Sequence, residues 1–183
     1  MTHLEVKNWK EAELEENNNL QCYLLQSSAR DFYVVAYFAC SGKFSTNLYS
    51  GLTLMQQSLE FHIKANLKIR NIVYPWGRDG HDLKLLLDKG MNNIVSFNKI
   101  LENKKYIDFL ENLTKSYYGL RYGELHLTVN LFNVLQLFDE LSFIFAETFY
   151  EITKNKQSKE ITIRNEILNY FKNIDPKWIL LIE

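Results

Sequence analysis

Leu48-Tyr49-Ser50-Gly51-Leu52-Thr53-Leu54-Met55-Gln56-Gln57-Ser58-Leu59-Glu60-Phe61-His62-Ile63-Lys64-Ala65-Asn66-Leu67 is the stretch that decides the fold. Leu48, Leu52, Met55, Leu59, Ile63 and Leu67 recur every three or four residues, the spacing that lines one face of an α-helix. With ends at Thr46 and Ile69, this second helix would reach roughly 36 Å. A stripe of that length needs other helices to cover it.

The neighbouring sequence supplies them. Toward the N-terminus, Gly42 breaks a first helix expected over Ala29 to Cys40, with Phe32, Val35, Ala36 and Ala39 on one face. Ser28 and Asp31 match the capping box that starts a helix. Residues 1–27 read as a polar extension with a turn at Asn17-Asn18-Asn19. Toward the C-terminus, Arg70 to Gly80 carries Pro75, Gly77 and Gly80 and reads as a loop. Asp79 is the expected N-cap of a third helix that opens near His81 and carries Leu83, Leu86 and Leu87. Asn92-Asn93 ends or kinks it. Tyr106, Leu110, Leu113, Tyr117 and Leu120 mark a fourth helix, loosened at Gly119 and Gly123. Leu127, Leu131, Val134, Phe138, Leu141, Phe145, Phe149 and Ile152 mark a fifth in a near-heptad pattern suited to antiparallel packing. After a polar connector from Lys154 to Glu160, Ile163, Ile167, Phe171 and Ile174 mark a sixth, stopped at Asp175-Pro176.

The expected architecture is all-α. It is a single domain over 1–183, an up-and-down helical bundle of about five to six helices. Its core spans 28–153, and a C-terminal helix and apolar tail occupy 161–183. Two prolines and seven glycines in 183 residues favour long helices. A hydrophobic fraction of 46% argues against disorder. The net charge of −1 argues against a generally basic nucleic-acid binder but does not exclude a local basic cleft. Met1 to Glu16 lacks the apolar core of a signal peptide, and no run approaches the ~18 apolar residues of a membrane span. A cytoplasmic protein without membrane partners is expected, with Cys22 and Cys40 reduced. No zinc spacing, phosphate loop or nucleophile motif is present, so neither metal nor cofactor is expected.

Candidate chemistry lies in Arg121-Tyr122-Gly123-Glu124-Leu125-His126. A histidine moves protons near neutral pH, and an arginine holds a phosphate with a permanent charge. His126 would be the general acid or base, and Arg121 would stabilise the charge that grows on phosphoryl oxygens. With the 2′-hydroxyl of RNA as nucleophile, this pair is minimal equipment for cleaving RNA without a metal. The same two residues would also serve as a helix cap and a packing histidine. His81 is a second candidate, as a cap or as a proton carrier. Glu60 and Lys64 stand four apart in the order favourable for a helix ion pair, and Glu60 could orient His81.

The order Glu60-x-x-x-Lys64-Ala65, then Gly80-His81-Asp82-Leu83, then Leu120-Arg121-Tyr122 resembles the HEPN superfamily of small helical bundles, over roughly Ala29 to Phe149. The resemblance implies an up-and-down bundle that commonly dimerises across its long helices. Many such proteins are metal-independent ribonucleases in which an arginine precedes a histidine by a few residues, and the pairs of two subunits face each other. Arg121 and His126, with four residues between them, fit that pattern. In the nucleases a small polar or acidic residue frequently follows the arginine; here it is Tyr122. Other members bind RNA, nucleotides or partner proteins, often beside a nucleotidyltransferase. The first expectation is thus an endoribonuclease or RNA-processing protein of toxin–antitoxin or defence type, with Tyr122, Glu124, His81, Glu60 and Lys64 in support. A non-catalytic nucleotide- or partner-binding module and a purely structural helical dimer are the alternatives.

Overall fold

Among the described residues six α-helices make up the fold, in the order α1 (His3–Ser41), α2 (Leu48–Lys68), α3 (Leu83–Gly90), α4 (Val95–Glu102), α5 (Lys104–Tyr122) and α6 (Leu131–Thr153). A short 3-10 turn, Gly77–His81, precedes α3. The computed structural model describes residues 3–41, 48–122 and 131–154; no strand occurs among them. The expected sixth helix beyond residue 160 lies outside the described residues.

Helix α2 is the centre. Leu52, Met55, Leu59, Ile63 and Leu67 are buried, as their spacing predicts. Gln56, Ser58, Glu60, His62 and Asn66 are buried as well, so α2 is enclosed on its polar side too. Buried polar groups require hydrogen bonds. Ser58 donates to the Ala29 carbonyl at 2.8 Å, and Asn66 donates to the carbonyls of His62 and Phe145, each at 2.9 Å. These bonds tie α2 to α1 and α6. The helix ends in a Schellman motif: Asn71 takes a left-handed φ of 57°, its N–H meets the Lys68 carbonyl, and the Ile72 N–H meets that of Leu67.

Helix α1 corrects the expected boundaries. It runs unbroken through Asn17-Asn18-Asn19 and through Ser28, where a helix start was expected. No glycine or proline precedes Gly42 to stop it. Among its described side chains, 20–40, the buried face is Cys22, Gln26, Ala29, Tyr33, Ala36, Tyr37 and Cys40. Most of that face is small or polar, which is why large apolar residues such as Phe32 and Val35 stand out in the sequence instead. Val35 is exposed. Small residues let α1 and α2 approach closely: a Cβ on Gly51 would stand 2.2 Å from the Cys40 sulfur. Gly51 faces Cys40, Ser58 faces Ala29 and His62 faces Gln26, so the two helices are antiparallel.

Helix α6 covers the other side with Leu137, Phe138, Leu141, Phe145 and Phe149. It runs antiparallel to α1, with Tyr33 donating to Asp139 at 2.7 Å and Tyr23 edge-on to Phe149. Helix α4 was not expected. It buries only Phe97 and Ile100 from eight residues, too few to register as a periodicity.

Candidate functional site

The two early motifs meet. Glu60 sits on α2 with its carboxylate buried. One oxygen accepts from Lys64 Nζ at 2.6 Å, and the other faces His81 Nδ1 at 2.9 Å. An ionised carboxylate only accepts, so Nδ1 carries hydrogen and Nε2 is left for any proton exchange. Lys64 also lies over the Tyr74 ring, 5.6 Å from its centre. Burial, then the nearby Cys22 and Glu60, raises the Tyr74 phenol above its ordinary pKa, so that hydroxyl stays neutral.

Each residue of Gly80-His81-Asp82-Leu83 has a mechanical reason. Gly80 is buried against the loop, where a Cβ would come 2.7 Å from the Pro75 carbonyl oxygen. His81 reaches Glu60, its carbonyl accepts from Gln56 Nε2 at 2.6 Å, and its ring lies 5.5 Å from that of Tyr117 on α5. Asp82 caps α3 by accepting from the Leu85 N–H at 3.0 Å. The cap therefore falls at Asp82 rather than at the expected Asp79, because the 3-10 turn occupies Gly77–His81. Leu83 is fully buried. The tetrad joins α2, α3 and α5 at one place.

Tyr117 lies one helical turn before Arg121 on α5. Arg121 and Tyr122 are the last two residues of that helix; Glu124 and His126 lie outside the described residues. Of the expected site residues, the structure brings together Glu60, Lys64 and His81.

His62 faces away from this cluster. It is buried toward α1, with Nδ1 3.1 Å from the side-chain amide oxygen Oε1 of Gln26. Burial, reinforced by the charge of Arg30, lowers its pKa to about 3, so it is a neutral core histidine. Burial pushes the Cys40 thiol up to about 12 and raises that of Cys22, so neither is a ready nucleophile. No group of three or more His, Cys, Asp or Glu that could hold a metal ion gathers among the described residues. No described helix is long and apolar enough to cross a membrane.

Sequence reasoning passed over Tyr117, Tyr74, Lys68 and Gln56. Tyr117 was read as core alone. Lys68 was legible as the next step of the row Glu60, Lys64, Lys68, each one helical turn from the last. Comparisons with known protein families, with curated proteins and with solved structures find no match.

Proposed function

We propose that this chain is an HEPN-like, RNA-directed protein of the cytoplasm, acting as a metal-independent endoribonuclease in a homodimer. The observation that supports the reading is the closure of Glu60-x-x-x-Lys64 onto Gly80-His81-Asp82-Leu83 beneath Tyr117, one turn before Arg121. The three motifs share one region of the bundle.

In the proposed reaction the RNA 2′-hydroxyl attacks the adjacent phosphorus. His126 takes the hydroxyl proton while Arg121 neutralises charge on the non-bridging oxygens. The bond from phosphorus to the 5′-oxygen breaks, and that oxygen takes a proton from the equivalent histidine of a second copy. The products are a 2′,3′-cyclic phosphate and a 5′-hydroxyl. Tyr122 and Glu124 support the pair. The Glu60–Lys64–His81 cluster positions α5.

The test is incubation of the purified chain with mixed cellular RNA in EDTA, beside His126→Ala and Arg121→Ala. We expect cyclic-phosphate ends from the parent and a loss of about a hundredfold or more in each variant. Light scattering should find a dimer. A folded, dimeric parent that cuts nothing would overturn the nuclease reading in favour of a non-catalytic module, whose partner could be an antitoxin or a nucleotidyltransferase. A clean monomer at micromolar concentration would remove the shared site.

A further inference from the structure

A cleft of about 360 Å³ opens between α1, α2 and the loop that follows α2. Its wall includes Ser28, Phe61, Lys64, Lys68, Tyr74 and Trp76. The volume is at the lower end for small-ligand sites. Three features define what would fit. First, Tyr74 and Trp76 form an aromatic wall, with ring centres 6.0 Å apart and planes inclined by 40°. Trp76 is 82% exposed, so a large flat apolar face is uncovered at the rim. Second, no lining residue is acidic. Third, Lys64 and Lys68 stand one turn apart on α2. Glu60 engages Lys64 from behind, which offsets one of the two charges, while Lys68 forms no salt bridge among the described residues. Among the described residues the wall thus carries one uncompensated positive charge next to an open aromatic face.

From this juxtaposition we infer that the cleft is a site for one nucleotide unit, its base stacked on Trp76 and Tyr74 and its phosphate on Lys68. Aromatic faces beside a cation are the chemistry that holds single-stranded nucleic acid without reading its sequence. A single surplus charge matches the single charge of a phosphodiester. Ser28 supplies a hydroxyl at the cleft wall. The site goes beyond the nuclease reading, since neither Arg121 nor His126 takes part.

The experiment is fluorescence anisotropy with a short labelled 2′-O-methyl oligoribonucleotide, which cannot be cut through its 2′-position, and competition by AMP. Parent, Trp76→Ala, Lys68→Ala and the exposed control Val73→Ala are compared, with circular dichroism to verify folding. We expect Trp76→Ala and Lys68→Ala each to weaken binding roughly tenfold, and Val73→Ala to leave it unchanged. AMP that competes fully identifies a free nucleotide as sufficient. Oligonucleotide binding that AMP does not displace identifies the strand as the source. Both support the site. No binding by the parent, or binding that ignores Trp76 and Lys68 in folded variants, overturns it. Because the probe resists cleavage, loss of the nuclease reading leaves this result standing, and the reverse also holds.

Discussion

Glu60 accepts from two partners while buried, so its removal strands both. Hydrogen bonds to charged groups contribute about 1.5–3 kcal/mol each, but Lys64 and His81 are partly solvated and recover some of that from water. Glu60→Ala should therefore lower stability by about 2–3 kcal/mol, seen as an earlier urea midpoint with an unchanged slope. A loss below half a kilocalorie would mean that the cluster is ornamental. Gly80→Ala tests the same place from the loop. Its Cβ collides with backbone, so the turn must move and draw His81 off Glu60. The His81 ring resonances should shift more in Gly80→Ala than in an alanine variant of exposed Lys89. The pairing of Glu60 with Lys64 was legible in the sequence from their spacing. Its extension to His81 was raised there but not forced, because the path of Arg70 to Gly80 decides it and a loop path has no period to read.

At the scale of elements, the two ends that frame the site are built from local chemistry. Asp82 satisfies an otherwise free N–H of α3, and Asp82→Ala should cost about 1 kcal/mol in thermal or urea denaturation. Asn71 holds the left-handed turn that ends α2. Asn71→Gly should leave stability level or slightly higher, whereas Asn71→Ile should lower it by about 1–2 kcal/mol; equal behaviour of the two variants would refute the role given to that turn. Helices α2, α5 and α6 were readable because their aliphatic and aromatic residues repeat over several turns. Helix α1 was cut short in the reading because its described buried face before Ala29 is only Cys22 and Gln26, and capping residues at Ser28 and Asp31 imitate a start. Helix α4 escaped because two buried residues make no pattern. The Arg121–His126 pair was conspicuous in the sequence for its chemistry, and its side chains lie outside the described part.

For the whole molecule, the buried neutral His62 makes folding sensitive to mild acid. Its pKa is near 3 when folded and about 6.5 when unfolded, so the unfolded chain binds the extra proton. Stability from this residue is complete above pH 6.5 and falls as pH drops from there toward 3. Between pH 7 and pH 5 the loss should be about 2 kcal/mol. His62→Gln, which cannot take up the proton, should flatten that part of the profile in urea titrations. A parent profile level from pH 7 to 5 would contradict the burial seen here. The antiparallel pair α1 and α2 also carries its own clock. Cys40 is shut in beside Gly51 at one end of the pair, and Cys22 is shut in near Lys68 at the other. An alkylating reagent reaches Cys40 when that end separates and Cys22 when its packing against Ala65 and Phe149 opens, so timed labelling read by mass spectrometry would report which end opens first, with no probe added to the protein.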